Sequence, residues 1–345
     1  MISISVCMIV KNEEKILKRC LDSLKDIADE IIVVDTGSSD NTKEIAHEYT
    51  NNVYDFKWTD DFSAARNYSF SLASKDYIYM ADADEVIDDE NRKKFLRLKS
   101  NLDTDIELVQ MYYSNQLEHN TTYNYDKEYR PKLFKRCRSF KFTEPVHEEI
   151  RLEPVIFNSD IEILHKPLSN HAGRDFDVFL KAYGKSGMLS KRLLNMYAKE
   201  LMIAGKKEDF AKSYPVFEKV MEIPGTELDT IRECQCVLAR AARLNEDYDL
   251  FFKCALKNVA LDKASAEVCN ELGEYYYGRQ DYEEAALWYY NAAFETEAEL
   301  SLECGRINPL RRLVEINEMS GNNENVVYYN KILKSILKGQ KSRQE

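Results

Sequence analysis

The chain reads as an α/β domain with a mostly parallel sheet, followed by an all-α domain of helical repeats. Short β-branched apolar runs alternate with helical spacings through the first half. Beyond about Asp177 no strand-like run occurs. The length of 345 residues exceeds one typical domain and suggests about two. The expected division is an α/β domain over 1–175, a repeat domain over 176–338 and a frayed tail over 339–345.

Ser3–Val10 is apolar and β-branched, a buried strand. Asn12–Leu24 places Ile16, Leu17, Cys20, Leu21 and Leu24 at helical spacing. Glu30–Asp35 is a second short buried strand, followed by a turn over Thr36–Asp40 that contains Gly37. Asn41 or Ser39 can cap the helix that runs to about Thr50. Val53–Phe56 is the third strand. Asp60 is expected to cap a helix carrying Phe62, Ala65, Arg66 and Leu72. Tyr77–Ala81 is the fourth strand. Later strands are read at Ile106–Tyr113, around Leu133-Phe134-Lys135, and at Ile161–Leu164 ending at His165. The stretch Asn115–Tyr129 is polar, aromatic and loop-like.

Strand and helix at this spacing imply a parallel sheet covered on both faces. Ligands of such sheets bind beyond the carboxyl ends of the strands. Three polar clusters fall there: Lys11-Asn12-Glu13, Asp35 to Asp40, and Asp82-Ala83-Asp84. An apolar run ending in two carboxylates one residue apart would converge them on one point, because i and i+2 of a strand share a side. Converging carboxylates repel unless a cation sits between them. A hard divalent ion shared with substrate phosphates suits that position. The bland alternative is an acidic loop capping the next helix through Asp88 and Asp89. Neither a dinucleotide fingerprint nor a P-loop occurs, so phosphates must be held another way.

Net charge of -12 weighs against a general nucleic-acid binder. The eight cysteines include no CxxC pair, and several lie in apolar periodic stretches. They read as reduced thiols of a cytoplasmic protein. Met1–Val10 is apolar but lacks a charged flank and a cleavage site, and is too short to span a bilayer. No membrane span is expected.

The order SVCMIVKNEEKILKRCLDSL, EIIVVDTGSSDNT, DFSAARN, YIYMADADE, YRPKLFKR and PVHEE resembles the family 2 glycosyltransferases, whose nucleotide-sugar-binding fold is called GT-A. The resemblance covers roughly residues 1 to 175. It implies transfer of a sugar from a UDP-sugar with inversion, and a requirement for Mn²⁺ or Mg²⁺. It implies that Asp35 contacts the uracil or ribose and that the backbone of Val10 to Asn12 lines the base pocket. Asp82 would bind the ribose or the metal's water shell, and Asp84 would ligate the metal. Arg66 matches the family's A-R-N motif and would either support the diphosphate or form an ion pair with Asp82. Arg130 and Lys132 would neutralise the diphosphate, or lie on an exposed basic strand edge. PVHEE resembles a V-H-E segment of a bacterial branch. There His147 would complete the metal site with Asp84 or orient the phosphates, and Glu148 or Glu149 would be the general base. Adjacent strand residues face opposite ways, so one of the pair should reach the sugar, and Glu148 is favoured. Thr36 stands where relatives carry a second Asp. Glu144 is a third base candidate, and His165 and His171 fall near this edge.

Cys269-x-x-Leu272-Gly273-x-x-Tyr276, with Ala285, Tyr289 and Ala292, fits the tetratricopeptide pattern over about 266 to 299. Degenerate copies are read at Tyr197-Ala198-x-x-Leu201 with Tyr214 and Phe217, and at Leu238-Ala239-x-x-Ala242 with Ala255. A last helix pair is read over 307–337. The plain alternative is a helical bundle. A family 2 domain joined to such helices resembles the bacteriocin peptide S-glycosyltransferases. That resemblance implies a hexose transferred to a Cys or Ser of a peptide or protein, with a homodimer through the repeats as a further possibility. The rival readings are a glycosyltransferase for a lipid-linked or cell-envelope saccharide and a catalytically inactive, peptide-binding adaptor.

Overall fold

A computed structural model of the chain describes residues 1–114, 128–146, 148–150, 152–168, 172–261 and 263–342. Side chains of 149, 172–175 and 338–342 are outside the description. Two compact units divide the chain, the first running to Asn170 and the second from His171 onward.

In the first unit β1 (Ile4–Val10), α1 (Leu17–Leu24), β2 (Glu30–Asp35), α2 (Thr42–His47), β3 (Val53–Asp55), α3 (Phe62–Ser71) and β4 (Tyr77–Ala81) alternate. Then come β5 (Glu85–Val86), α4 (Asp89–Asn101), β6 (Leu108–Ser114), β7 (Glu128–Lys135), β8 (Phe142–Thr143), β9 (Glu149–Ile150) and β10 (Ile156–His165). One sheet has the order β3-β2-β1-β4-β7-β6-β10-β5, and β8 pairs with β9 as a separate hairpin. The first four strands are parallel, and β6 is parallel to β10. β7 runs against β4 and β6, and β5 against β10, so the sheet is mixed.

Both faces of the sheet are covered around β1, β2 and β4, which explains their continuous apolar runs. The alternate residues Ile4, Val6, Met8 and Val10 of β1 pack with Leu17, Leu21 and Leu24 of α1 and Phe95 of α4. Cys7, between them, packs on the other face with Ile32, Phe70, Phe134 and Phe142.

The strand order also requires curvature. β4 and β5 stand four places apart, about 19 Å in a flat sheet. The four Cα steps from Ala81 to Glu85 reach at most about 14 Å. The arc from β4 through β7, β6 and β10 to β5 therefore curls back on itself, and Asp82–Asp84 bridges its ends.

Several expectations are corrected here. Asp60 does not cap α3. It adopts φ 57° and accepts from Trp58 Nε1, while Asp61 caps the helix by accepting from the Ala64 N–H at 3.1 Å. α1 begins at Leu17 rather than Asn12, because Asn12 sits at φ 56° and the residues after it are tied to the β2–α2 turn. The Glu13 N–H donates to Thr42 Oγ1 at 2.7 Å. Asp88 does cap α4, accepting from the Asn91 N–H at 2.9 Å. The loop-like stretch before Tyr129 falls outside the described residues, and Tyr129 itself lies in β7.

The second unit is helical: α5 (Ala172–Ser186), α6 (Lys191–Ala204), α7 (Lys207–Met221), α8 (Leu228–Leu244), α9 (Tyr248–Val259), α10 (Ala266–Gly278), α11 (Tyr282–Tyr290), α12 (Asn308–Met319) and α13 (Asn323–Ser342). π-helical turns cover Asn291–Glu295 and Glu303–Ile307. Short connections make sequential helices pack as hairpins. In the pair α10–α11 the absence of a side chain at Gly273 is required: a Cβ there would lie 2.6 Å from the Tyr289 ring. α13 continues through the expected tail as far as Ser342. Among the described residues no helix is long and apolar enough to cross a membrane. All eight cysteines are free thiols.

Candidate active site at the carboxyl ends of the strands

The register of the parallel strands assembles a rim. Val10 pairs with Asp35 and Met8 with Ala81, so the ends of β1, β2 and β4 lie side by side. Asp35, at the end of β2, is 1% exposed. Its Oδ1 accepts from the N–H groups of Gly37 and Ser38, both at 2.9 Å. Gly37 takes φ 101°, which opens the turn that lets both amides point back. The other oxygen, Oδ2, is buried with no hydrogen-bond partner. Thr36 does not add a second carboxylate, and its amide and hydroxyl instead close on the Val10 carbonyl at 2.9 and 3.1 Å. Asn12 Oδ1 accepts from the Ser39 N–H at 2.8 Å. The Val10 carbonyl and the Asn12 side chain are thus engaged in holding the rim together.

Asp82-Ala83-Asp84 is a turn, closed by the Glu85 N–H donating to the Asp82 carbonyl at 3.1 Å. The period-two convergence expected of a strand does not apply to it, and the two carboxylates take different partners. Asp82 Oδ1 lies 3.2 Å from Arg66 Nη2, and its Oδ2 lies 3.6 Å from Lys132 Nζ. Asp84 Oδ2 lies 3.1 Å from His165 Nε2. His165 is carried there by the β5–β10 pairing, in which it stands opposite Glu85.

Arg66 is the hub. It sits on the buried face of α3 at 6% exposure. Its Nε lies 3.6 Å from Glu148 Oε1, so one guanidinium faces both the acidic turn and the β8–β9 hairpin. The next residue fixes that hairpin: Asn67 donates to the Phe142 carbonyl at 2.9 Å and accepts from its N–H at 2.8 Å. The Phe62 N–H also donates to the Pro145 carbonyl at 2.8 Å. The A-R-N sequence is therefore a clamp, with Asn67 holding backbone and Arg66 holding charge. Arg66 Nη1 and Glu148 Oε1 are buried with no hydrogen-bond partner.

Burial alone would disfavour charge here, yet the partners win. Burial opposes ionisation of Asp82, but Arg66, then Lys132 and more weakly Arg130, hold its carboxyl well below the usual range. Its side chain is 37% exposed, so solvent screens part of that attraction. Burial likewise works against the Arg66 charge, and Asp82 and Glu148 more than offset it.

Beneath the turn lies a pair that sequence reading missed. Lys132, expected on the diphosphate or on an exposed edge, is 2% exposed and ion-paired with Glu85, itself 2% exposed. Burial pushes the Glu85 carboxyl up to about 7 even with Lys132 beside it. Glu85 reaches this position through the pairing of β5 with β10, a contact between segments distant in sequence. Arg130 is turned to Glu128, with Nε at 2.6 Å from its Oε1, and lies over the Tyr113 ring at 4.0 Å. His147, His171 and the side chain of Glu149 lie outside the described residues. Among the described residues no group of three or more His, Cys, Asp or Glu is arranged as a metal cage.

The mixed sheet with carboxylates at its strand ends is GT-A-like, as the motif order implied. Residues 5–151 match the family described as Glycosyl transferase family 2. The N-terminal unit therefore contains a domain of that family. Over 148 residues the chain is 38% identical to a TPR repeat-containing protein of Synechococcus elongatus, covering 43% of this chain and 35% of that one. Over 150 residues it is 35% identical to the SPbeta prophage-derived glycosyltransferase SunS of Bacillus subtilis, covering 43% and 34%. The chain thus spans about a third of the length of these relatives. A looser likeness joins it to the solved structure of glucosyl-3-phosphoglycerate synthase from Mycobacterium tuberculosis with Mg²⁺ and uridine diphosphate. That likeness has 18% identity and a TM-score of 0.40, covering 55% of this chain and 81% of that one.

Proposed function

We propose that the chain transfers a hexose-type sugar from a UDP-sugar to a Cys or Ser side chain of a peptide or protein, with inversion and with Mn²⁺ or Mg²⁺. The observation that carries the reading is the Arg66 bridge. One buried guanidinium faces Asp82 at 3.2 Å and Glu148 at 3.6 Å, which ties the donor-side turn to the hairpin proposed to bear the base.

The roles follow from chemistry at each position. Asp35 Oδ2, a buried acceptor lacking a donor, suits a hydroxyl or N–H of a nucleoside. Asp84, with Asp82 beside it, supplies the hard oxygen ligands that a Mg²⁺ or Mn²⁺ shared with substrate phosphates needs. One or two carboxylates suffice for such an ion, so a full protein cage is not required. His165 steadies the Asp84 carboxylate, and His147 is retained as a candidate ligand. When bound, the cation offsets charge developing on the departing diphosphate. Glu148 takes the proton from the acceptor hydroxyl or thiol as that atom bonds to the anomeric carbon and the bond to the diphosphate breaks. Such a base contributes about 10²- to 10⁴-fold. Glu149, the adjacent carboxylate, is the alternative base.

The test is to incubate the full chain with UDP-glucose or UDP-N-acetylglucosamine, Mn²⁺, and Cys- or Ser-containing peptides, and to weigh the peptides. A gain of one glycosyl unit that a chelator abolishes is expected. Failure to bind or consume any UDP-sugar would overturn the reading.

A further inference from the structure

We infer, on the reading of the acidic turn as the donor site, that the buried pair Glu85 and Lys132 are positioning residues that aim the turn's two carboxylates. Both are 2% exposed, so neither is placed to touch the donor itself. They act through Asp82 and Asp84.

Glu85 closes the turn from within. Its N–H donates to the Asp82 carbonyl at 3.1 Å, and its Oε2 accepts from the Asp82 N–H at 3.2 Å. Backbone and side chain of one residue therefore bracket Asp82 in both directions. The other oxygen, Oε1, is ion-paired with Lys132.

Lys132 fastens the turn to a neighbouring strand. The pairing of β4 with β7 sets Tyr79 against Leu133, which brings the adjoining Lys132 to Met80. Its Nζ donates to the Met80 carbonyl at 3.4 Å and lies 3.6 Å from Asp82 Oδ2. An ammonium carries three N–H donors. Those of Lys132 face the entry to the turn at Met80, the first carboxylate at Asp82 and the exit at Glu85. Asp82 is thus held through Oδ1 by Arg66 of α3 and through Oδ2 by Lys132 of β7.

Asp84 lies between two fixed points. Its carbonyl accepts from the Lys166 N–H at 2.7 Å, and its carboxylate meets His165 at 3.1 Å. The Glu85–Lys132 pair is neutral as a unit, so what it gives the turn is shape rather than net charge. A buried ion pair adds little to stability once its desolvation is counted, which leaves position as its contribution.

The double variant K132M/E85Q separates position from stability. It removes one positive and one negative charge, and Gln keeps an acceptor for the Asp82 N–H. Hydrogen exchange over residues 82–85 of the full chain without ligand, read by mass spectrometry, should accelerate at least about tenfold while β1 stays as in the native chain. The thermal midpoint should remain close to native. UDP titrated by calorimetry in Mn²⁺ should bind at least about tenfold more weakly. E85Q alone keeps Lys132 on Met80 and Asp82, and should bind UDP more tightly than the double variant. Exchange at the native rate in the turn of the double variant would overturn the assignment, as would UDP binding as tight as native. Faster exchange throughout the sheet with a lowered midpoint would also overturn it, since the pair would then only hold the fold. A native chain that binds no UDP would sink the donor reading, and the exchange measurement would still decide whether the pair holds the turn.

Discussion

Nη2 of Arg66 lies 3.2 Å from Oδ1 of Asp82, and Nε of the same guanidinium lies 3.6 Å from Oε1 of Glu148. Two carboxylates 66 positions apart in sequence thereby share one buried cation. Arg66→Ala would leave Asp82 and Glu148 without it. Breaking a buried pair costs about 3–5 kcal/mol, reduced here to about 2 kcal/mol because Asp82 is partly exposed. Urea denaturation should register that loss. Arg66→Lys should recover part of the stability but little activity, since an ammonium cannot span both carboxylates.

The Asp35 carboxylate separates two roles by oxygen. Oδ1 holds the turn and Oδ2 is unused by the protein. Asp35→Asn, with its carbonyl in the Oδ1 position, keeps the turn and exchanges the free acceptor for a donor. UDP affinity by calorimetry should fall about tenfold, the value of one lost hydrogen bond to a charged group. The melting temperature should hardly move. Asp35→Ala should lose both affinity and about 1 kcal/mol of stability.

The buried Glu85 carboxyl sets a pH dependence of stability. Its folded value, about 7, is above the ordinary 4.5 because burial disfavours the charge. Between these values the folded state holds more protons than the unfolded one. Stability contributed by this group is therefore present below about pH 4.5 and lost as pH rises through 7. Melting curves taken with chelator present should contain a component that declines from pH 5 to 7, and Glu85→Gln should remove it.

In the helical unit, Gly273→Ala would push a methyl group to 2.6 Å from the Tyr289 ring. Overpacking of this kind costs about 1–3 kcal/mol. Tyr289 also donates to Glu274, so displacing its ring should disturb that hydrogen bond together with the α10–α11 packing. Thermal melts of the variant against the native chain test this.

Elements buried on both faces were the most legible. Glu30–Asp35 and Tyr77–Ala81 begin and end where their apolar runs do, since a parallel strand between two helical layers has no polar side. The tetratricopeptide pair was legible for a similar reason: Gly273 and Tyr289 are a spacing rule made visible by close packing. The acidic turn was misjudged in shape. Its geometry depends on β5 pairing with β10, and no local pattern announces a partner about eighty residues away. The Glu85–Lys132 pair was hidden for the same cause, being a contact between strands distant in sequence. Asp60 and Asp61 are equally good caps by composition. The indole of Trp58 engages Asp60, and Asp61 takes the Ala64 N–H.

The most direct test of the proposed chemistry is UDP release from a UDP-sugar by the full chain with Mn²⁺, compared for the native chain and Asp84→Ala. The native chain should release UDP with Mn²⁺ and stop when chelator is added. Asp84→Ala should retain its fold by circular dichroism and lose at least about 10²-fold in rate, as removal of one transition-state charge partner does. Full activity of Asp84→Ala, or release that a chelator leaves untouched, would contradict the assignment of the acidic turn as the metal and diphosphate site.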